Sequence, residues 1–404
     1  MPIKFTKGAA VLAAALALAA CGKGGASRPA PATGGAQPGE APVATAGLTV
    51  TRLATGLQHP RTVYPLPNGD ILIVESTGPA VPVLRPRDLI AGPARPDTDR
   101  AGRGRITLVR PGPDGGAVRQ TILLDGLNAP SGVALVGTDL YVANTDALVR
   151  YPYNTGDTRI TAPGTRVIAL PAGPVNRHWT RSLLASDDGK KLYVGVGAST
   201  NIAENGLAAE QDRATILVVD RATGAVRPFA GGLRNPDAMQ WEPHSMALWA
   251  VVDERAGAGP DLVPDYLAAV KDGGFYGWPY SYNGGHLDAR VMPQRPDLVA
   301  GALAPDYPFG AGVSARGLAF NNPASTMPPR LRDGAFLAHG GRQDSGKVVF
   351  VPFVDGKPVG QPIDVVTGFG PGRPAGLIMD HRGALLIADD VGNTVWRVSG
   401  PPLK

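Results

Sequence analysis

The 404-residue sequence contains one cysteine, Cys21, so an intramolecular disulfide cannot form. A disulfide framework, which stabilises many small exported domains, is therefore excluded, and the folded part must depend on a packed core. After the N-terminal apolar run the sequence has no second run long enough to cross a bilayer as a helix. These absences favour a globular domain without internal cross-links.

Motifs of common enzyme classes are also missing. The sequence has no Gly-x-Ser-x-Gly elbow and no glycine-rich loop that ends in Lys-Ser or Lys-Thr, which disfavours serine hydrolase and nucleotide chemistry. No histidine or carboxylate pair shows the helical spacing of a zinc site. The formal net charge is +5, with basic residues scattered rather than grouped, which argues against nucleic acid as a partner.

The N-terminus has the pattern of a bacterial lipoprotein signal, predicted at 1–20. Lys4 and Lys7 precede an apolar run rich in Ala and Leu, which ends in Leu-Ala-Ala before Cys21. Cleavage would leave Cys21 as the lipidated N-terminus; a plain secretory signal is the alternative. We expect a periplasmic protein whose lipid is its only membrane contact, and Gly22 after the cysteine suggests the outer membrane.

Residues 21–46 consist mainly of Gly, Pro and Ala and predict a flexible tether. The domain predicted at 47–404 contains an internal repeat. Six segments share a Pro or polar start, a short apolar strand, a turn and a second strand that ends in a small or acidic residue. They begin at His59, Ala129, His178, Asn235, Ser314 and Arg373. Strand pairs that recur in this way predict the blades of a propeller.

The predicted fold class is therefore all-β: a six-bladed β-propeller of four-stranded antiparallel blades. The early segment LTVTRLATGL, from Leu48, precedes the first repeat, and the last repeat ends soon after NTVWRV. Pairing of this N-terminal strand with the last blade would close the ring and cover an exposed edge. A twisted sandwich of similar size is the structural alternative.

The ends of each hairpin indicate where a site would form. An antiparallel pair starts and finishes at the same end, which in a propeller surrounds the central channel. His178 and Arg234 each precede the second-strand leucine of their repeat by 14 residues, which predicts matching places on neighbouring blades. The residues that precede first strands include Arg61, Ser131, His178, Arg181, Arg234, Asn235, Arg316 and Arg373; those that follow second strands include Glu75, Asn144, Asp253, Glu254, His339 and Asp389.

Arginines gathered around one pocket repel one another unless negative charge balances them. A ligand with several carboxylates would bind such guanidinium groups bidentately. The alternative is that the arginines pair with acidic neighbours such as Asp237, Glu254 and Asp389 and hold the blades together.

Several longer motifs carry a resemblance to a known family. They include HWTRSLLASDDGKKLYVGVG, GGLRNPDAMQWEP and GRPAGLIMDHRGALLIADDVGNTVWRVS. From about Leu53 to the end, the sequence resembles the sorbosone dehydrogenase branch of the soluble aldose dehydrogenases that use pyrroloquinoline quinone (PQQ). The resemblance implies oxidation of an aldose or sugar aldehyde, sorbosone-like or glucose-like, by hydride transfer to the quinone. PQQ is a tricarboxylate and would balance the arginines.

The resemblance also implies roles for individual residues. His178 would be the general base towards a sugar hydroxyl, and Arg234 would stabilise charge on a quinone oxygen. Asn235 would help to hold the cofactor, and Arg373 would pair with one of its carboxylates. Arg61 is a further candidate for cofactor binding.

Other implied contacts depend on loops. A calcium ion would bind backbone carbonyls of the loop DERAGAGP, for which Ala256 and Gly257 are the candidates. Trp278 belongs to the insert DGGFYGWPYSYNGG, whose aromatic rings would either cover the quinone or sugar or pack onto the propeller. The sequence has HGGRQDSG where the family pattern has HGSWNR, so Arg342 is the candidate basic contact there. Arg177 stands where the glucose-oxidising branch has an acid that orients the histidine.

Two alternatives come from other classes of function. A calcium-dependent lactone hydrolase on the same propeller could recruit Glu75, Asn144, Asp253 and Asp389, although nearby arginines would repel a bare metal ion. A non-catalytic lipoprotein could use the propeller face to bind protein or glycan. Under the oxidoreductase hypothesis the partners are a small sugar and an electron acceptor that the sequence does not identify.

Overall fold

The structure is a computed structural model that describes residues 41–79, 104–113, 115–173, 175–256, 263–310, 312–341 and 346–401. The predicted signal peptide, Cys21, most of the tether, Gly257 and Arg342 lie outside these residues. In the part of the chain that is described, no helix is both long and apolar enough to span a bilayer.

Six antiparallel four-stranded sheets form the blades, preceded by strands β1 (Val43–Ala44) and β2 (Thr49–Ala54). Blade 1 contains β3 (Pro60–Pro65), β4 (Ile71–Ser76), β5 (Gly104–Pro111) and β6 (Ala117–Leu127). Blade 2 contains β7 (Gly132–Val136), β8 (Asp139–Ala143), β9 (Ala147–Pro152) and β10 (Thr165–Ala169). Blade 3 contains β11 (Leu183–Ala185), β12 (Lys191–Val196), β13 (Thr215–Asp220) and β14 (Val226–Gly231).

Blade 4 contains β15 (Pro236–Trp241), β16 (Leu248–Val252), β17 (Asp265–Ala269) and β20 (Tyr307–Gly310). Its insert carries the short hairpin β18 (Ser281–Tyr282) and β19 (His286–Leu287) and helix α1 (Pro296–Ala300). Blade 5 contains β21 (Ala315–Phe320), β22 (Gly334–His339), β23 (Lys347–Val354) and β25 (Ile363–Thr367), with β24 (Lys357–Pro358) against β23 and β1 against β25. Blade 6 contains β26 (Pro374–Met379), β27 (Leu385–Asp389), β28 (Thr394–Ser399) and β2. Among the residues that the structure describes, 3₁₀ turns lie at Leu207–Glu210 and Pro329–Leu331.

Strand β2 closes the ring by joining the last blade. It pairs antiparallel with β28, from Thr49 opposite Ser399 to Ala54 opposite Val395. The predicted six-bladed fold and its closure by an N-terminal strand are thus confirmed, and the sandwich alternative is wrong.

The apolar runs of the repeats are buried between neighbouring blades. Strand β4 is buried along its whole length, and its Leu72 packs in one cluster with Leu140 and Val142 of blade 2. A blade with neighbours on both faces needs apolar side chains on both, which explains continuous runs such as ILIV in place of a strict alternation.

The innermost strands β3, β7, β11, β15, β21 and β26 contact one another in sequence around the channel. Glycine is required where two of these strands come close together. A Cβ at Gly317 of β21 would lie 2.0 Å from the Ala375 carbonyl oxygen of β26, so a larger residue would push the blades apart.

We expect Gly317→Ala to lower the free energy of unfolding by about 1–3 kcal/mol or more, because the added methyl overlaps the backbone of the next blade. Urea denaturation of the full chain measures the change. Gly173→Ala is the control, since a Cβ there meets nothing within 4 Å. Equal stability of the two variants would contradict the close approach of blades 5 and 6.

Candidate active site on the channel face

The channel is lined by residues of all six inner strands, including Arg61, Asp237 and Arg316, and by Ser131 and Thr180, which precede two of these strands. At its mouth, the residues that precede and follow the hairpins lie side by side. The register pairs are Pro60 with Glu75, Ala315 with His339 and Pro374 with Asp389. The hairpin ends therefore meet at one face of the propeller, as the sequence predicts.

His178 and Arg234 have matching positions on blades 3 and 4. The residue seven positions after His178 is Ala185, which pairs with Leu192. The residue seven positions after Arg234 is Trp241, which pairs with Leu248. The predicted equivalence of the two positions is confirmed by this register.

One residue, Ala198, connects His178 to the backbone of Arg234. The Nδ1 atom of His178 lies 2.7 Å from the carbonyl oxygen of Ala198, and the N–H of Ala198 donates to the carbonyl of Arg234 at 2.8 Å. A Cβ at Gly197 would lie 2.5 Å from both the Cβ of His178 and Oδ1 of Asn235. His178, Arg234 and Asn235 thus gather around one small-residue segment.

This contact fixes the tautomer of His178. A carbonyl oxygen can only accept, so Nδ1 carries the proton and Nε2 keeps the lone pair of a base. Burial, followed by the positive charge of Arg234, lowers the pKa of His178 to about 3. The imidazole is therefore neutral at physiological pH, with Nε2 unprotonated. Arg177 adds to the lowering of this pKa, and the orienting role of an acid is taken by the Ala198 carbonyl.

We expect His178 to remain the neutral Nδ1–H tautomer between about pH 8 and pH 5, because protonation would place a cation beside Arg234 without solvation. Long-range ¹H–¹⁵N spectra of the imidazole nitrogens, assigned with His178→Ala, measure this directly. A titration midpoint near the ordinary histidine value of 6.5, or an Nε2–H tautomer, would contradict the geometry.

Arg234 is buried, with 4% of its surface exposed, and its guanidinium donates to Asn201 and Asp253. Its Nε donates to the Asn201 carbonyl at 3.1 Å and its Nη2 to Asn201 Oδ1 at 3.0 Å. Its Nη1 donates to the Asp253 carbonyl at 3.0 Å and to Oδ2 of Asp253 at 3.3 Å. The guanidinium is therefore held in one orientation.

Asn201 is the residue that sequence reasoning missed. It lies in the segment between β12 and β13, outside every repeat and motif. Its carbonyl also accepts from Nε1 of Trp278 at 3.0 Å, and its amide exchanges two 2.9 Å hydrogen bonds with the peptide of Ala256. The sequence signal was only a polar residue soon after the second strand of the third repeat.

The aromatic insert packs against the propeller. Tyr276, Trp278 and Tyr280 are 3%, 3% and 8% exposed. The hydroxyl of Tyr276 donates to the Ala269 carbonyl at 2.9 Å, and Trp278 belongs to an apolar cluster with Ala198. This burial favours the packing alternative for the three rings over a wall that stacks on a ligand.

Arg61 and Arg373 meet on one carboxylate, that of Asp390. Oδ2 of Asp390 accepts from Arg61 Nη1 at 2.6 Å and from Arg373 Nε at 3.1 Å, and Oδ1 lies 3.0 Å from Nδ1 of His59. Burial opposes ionisation of Asp390, but Arg61 and its other basic neighbours outweigh this and hold its pKa well below the usual range. The acidic partner is thus Asp390 and not its neighbour Asp389, whose Oδ1 accepts the backbone N–H of Arg373.

Guanidinium groups and carboxylates alternate around this cluster. The charge of Arg316 acts on both Asp390 and Asp237, and that of Asp253 also acts on Asp237. Burial raises the pKa of Asp237. Three guanidinium groups, those of Arg61, Arg316 and Arg373, thus act on the carboxylate of Asp390.

Arg181 does not belong to this group. It is fully buried, and its guanidinium donates to the carbonyls of Pro171, His178 and Thr180 at 2.7–2.8 Å. Burial lowers the pKa of Arg181 to about 9. Its role is to hold the segment that carries His178, so the expectation that it helps to form a ligand-binding ring is corrected.

The acidic residues at the hairpin ends are already engaged. Glu75 accepts from Arg105 at 2.8 and 2.9 Å, Asp253 pairs with Arg234, and Asp389 accepts the backbone N–H of Gly392 at 2.9 Å. Within the described residues, no group of three or more His, Cys, Asp or Glu side chains could hold a metal ion.

Comparison with known proteins places this geometry in context. The TrAA12-like family profile matches residues 100–258, a range that includes His178, Arg234 and Asn235. The chain is 19% identical to the iodide structure of Trichoderma reesei Carbohydrate-Active Enzymes Family AA12, with a TM-score of 0.71 and coverage of 89% of this chain and 98% of that one.

Two further structures are similar. The holo form of the pyranose dehydrogenase PQQ domain from Coprinopsis cinerea has a TM-score of 0.69 at 16% identity, covering 89% of this chain and 97% of that chain. The PQQ-bound form of the aldose sugar dehydrogenase from Streptomyces coelicolor has a TM-score of 0.60 at 17% identity, covering 88% and 99%. At these identities the similarity establishes the fold.

One curated relative matches in sequence, an uncharacterised protein from Borreliella burgdorferi strain B31. It is 23% identical over 249 residues, which are 57% of this chain and 62% of the relative. The chain therefore matches less than two thirds of that protein's length.

Proposed function

We propose that this protein is a PQQ-dependent oxidoreductase that oxidises an aldose or sugar aldehyde, of sorbosone or glucose type. The observation that carries the proposal is the pair of His178 and Arg234, connected through the backbone of Ala198 at the mouth of the channel. A neutral base beside a fixed cation suits removal of a hydroxyl proton next to a centre where negative charge develops.

The described residues fit a multiply anionic cofactor. Arg61, Arg316 and Arg373 all act on the carboxylate of Asp390, and the side chain of Arg373 is 29% exposed. PQQ would be held by Arg373 and Arg61 through carboxylates, with Asn235 and Arg234 at its quinone side. When bound, PQQ supplies an o-quinone that accepts a hydride from the sugar.

The chain's own residues would then act as follows. His178 Nε2 takes the proton of the sugar hydroxyl, since Nδ1 is committed to the Ala198 carbonyl. Arg234, held by Asn201 and Asp253, presents a fixed positive charge to developing negative charge.

A calcium ion in this site remains a proposal. Asn201 fixes the Ala256 peptide, and the Ala256 carbonyl keeps a second lone pair for a cation after accepting from the Asn201 amide. Gly257, the other candidate, lies outside the described residues. Ca²⁺ would require further oxygen ligands from the same loop.

The names of the similar structures agree with this proposal, since two of them contain a PQQ domain or bound PQQ. We further propose a periplasmic location with a lipid on Cys21. The lactone hydrolase alternative is less well supported, because Glu75 and Asp253 are paired with arginines in the structure.

We expect the full chain, supplied with PQQ and Ca²⁺, to reduce a dye in the presence of aldoses or sugar aldehydes. His178→Ala should lower kcat by roughly 10²–10⁴-fold, because the general base is lost, while PQQ affinity is retained. Dye reduction across a sugar panel gives turnover, and PQQ absorbance gives binding.

A wild-type chain with neither dye reduction nor a change in quinone absorbance would reject the oxidoreductase. Unchanged turnover in His178→Ala would reject the assigned base.

Arg373→Ala is expected to weaken PQQ binding about 10–100-fold, because a charge-assisted hydrogen bond to a carboxylate is lost. Titration calorimetry with PQQ measures the affinity. Arg227→Ala is the matched control, since it also removes an Arg–Asp pair, with Asp272, but on the exposed surface. Equal PQQ affinity of Arg373→Ala and the control would place the cofactor carboxylates elsewhere.

A further inference from the structure

Asn201 connects three parts of the candidate site. Its two oxygens accept from Nε and Nη2 of Arg234, which form one edge of the guanidinium. The same residue holds the peptide of Ala256 through both amide atoms and accepts from the indole of Trp278. Five hydrogen bonds thus meet at one half-buried residue.

The partner on this edge of Arg234 is neutral. A carboxylate normally grips the Nε–Nη2 edge of an arginine bidentately and balances its charge. Here an amide and a backbone carbonyl take that place and fix the orientation of the guanidinium without adding a negative charge on this edge. A carboxylate, that of Asp253, lies at Nη1.

The segment that carries Asn201 is itself anchored by a buried carboxylate. Oε1 of Glu210 accepts from the hydroxyls of Ser199 and Thr200 at 2.7 and 2.6 Å, and Oε2 accepts from the N–H of Ser199 at 2.7 Å. Glu210 is 8% exposed. The loop is therefore held at the residues immediately before Asn201, which restricts where its oxygens can lie.

We propose that Asn201 is the positioning residue of this site: it orients the guanidinium of Arg234 towards the reacting group and sets the place of the Ala256 peptide relative to it. This inference rests on the proposed function, because Arg234 must contact the cofactor for its orientation to affect turnover. Asn201 acts through Arg234 and contacts no substrate itself.

Two variants of Asn201 separate orientation from charge. Asn201→Ala removes the Oδ1 acceptor of Arg234 and both bonds to Ala256. Asn201→Asp keeps an acceptor for Nη2 but adds a negative charge beside Arg234. Asn154→Ala is the matched control, because Asn154 is exposed and bonds only within its own turn, to Asp157.

In the cofactor-free full chain, NMR measures rotation about the Nε–Cζ bond of Arg234 from exchange between its Nη signals. We expect Asn201→Ala to speed this rotation about 10-fold, because one hydrogen bond is lost, and Asn201→Asp and the control to leave it slow. Circular dichroism confirms that each variant is folded.

In the PQQ-loaded chain, Asn201→Ala is expected to lower kcat roughly 10–100-fold with KM for the sugar nearly unchanged, since only the orientation of Arg234 is lost. Asn201→Asp is expected to lower kcat as well, because the added charge offsets that of Arg234. If Asn201 contributed to stability alone, the variants would have a lower melting temperature, but Asn201→Ala and Asn201→Asp would not differ in the rotation of Arg234.

The outcomes separate the two hypotheses. Unchanged Arg234 rotation in folded Asn201→Ala overturns the positioning role, even if the wild-type chain oxidises sugars. An inactive wild-type chain overturns the proposed function, and the rotation measurement still decides whether Asn201 orients Arg234.

Discussion

The candidate site depends on one residue, Ala198, at the boundary of two blades. Its carbonyl accepts from His178, and its N–H donates to the carbonyl of Arg234. These two hydrogen bonds tie the segment of His178 in blade 3 to the backbone of Arg234 in blade 4. Gly197 makes this possible, since any side chain there would overlap both His178 and Asn235.

The arrangement of charges follows from the same constraint. A cation next to a half-buried imidazole disfavours its protonation, so Arg234 stabilises the neutral form of His178. On the opposite side of the channel, Arg61 and Arg373 share one buried aspartate. One region of the face thus offers a base with a fixed cation, and the other offers a cluster of arginines, which suits a ligand with a reactive end and an acidic end.

Much of this could be predicted from the sequence. The repeat fixed the number of blades because each hairpin is a local unit with its own turn, and equal spacing to Leu192 and Leu248 placed His178 and Arg234 in equivalent positions. Adjacent side chains on a strand point to opposite sides, however, and a shift by one residue changes the face. The sequence therefore did not reveal that the partner of the arginines is Asp390 and not Asp389.

Other features depend on contacts that no repeat encodes. Arg181 lies three residues after His178, and only the packing of blades 2 and 3 decides that it binds carbonyls in the interior. The position of Asn201 depends on the conformation of a loop that Glu210 holds in place. The burial of Trp278 depends on how the long insert of blade 4 packs against the propeller. Such loop conformations are set by long-range contacts, not by local pattern.

The most direct test of the account is a crystal structure of the full chain with PQQ. The account predicts a quinone oxygen within hydrogen-bond distance of the Arg234 guanidinium, a PQQ carboxylate on Arg373, and His178 Nε2 facing the open side of the quinone. A cofactor bound away from Arg234, or a His178 ring turned so that Nε2 contacts the Ala198 carbonyl, would contradict it.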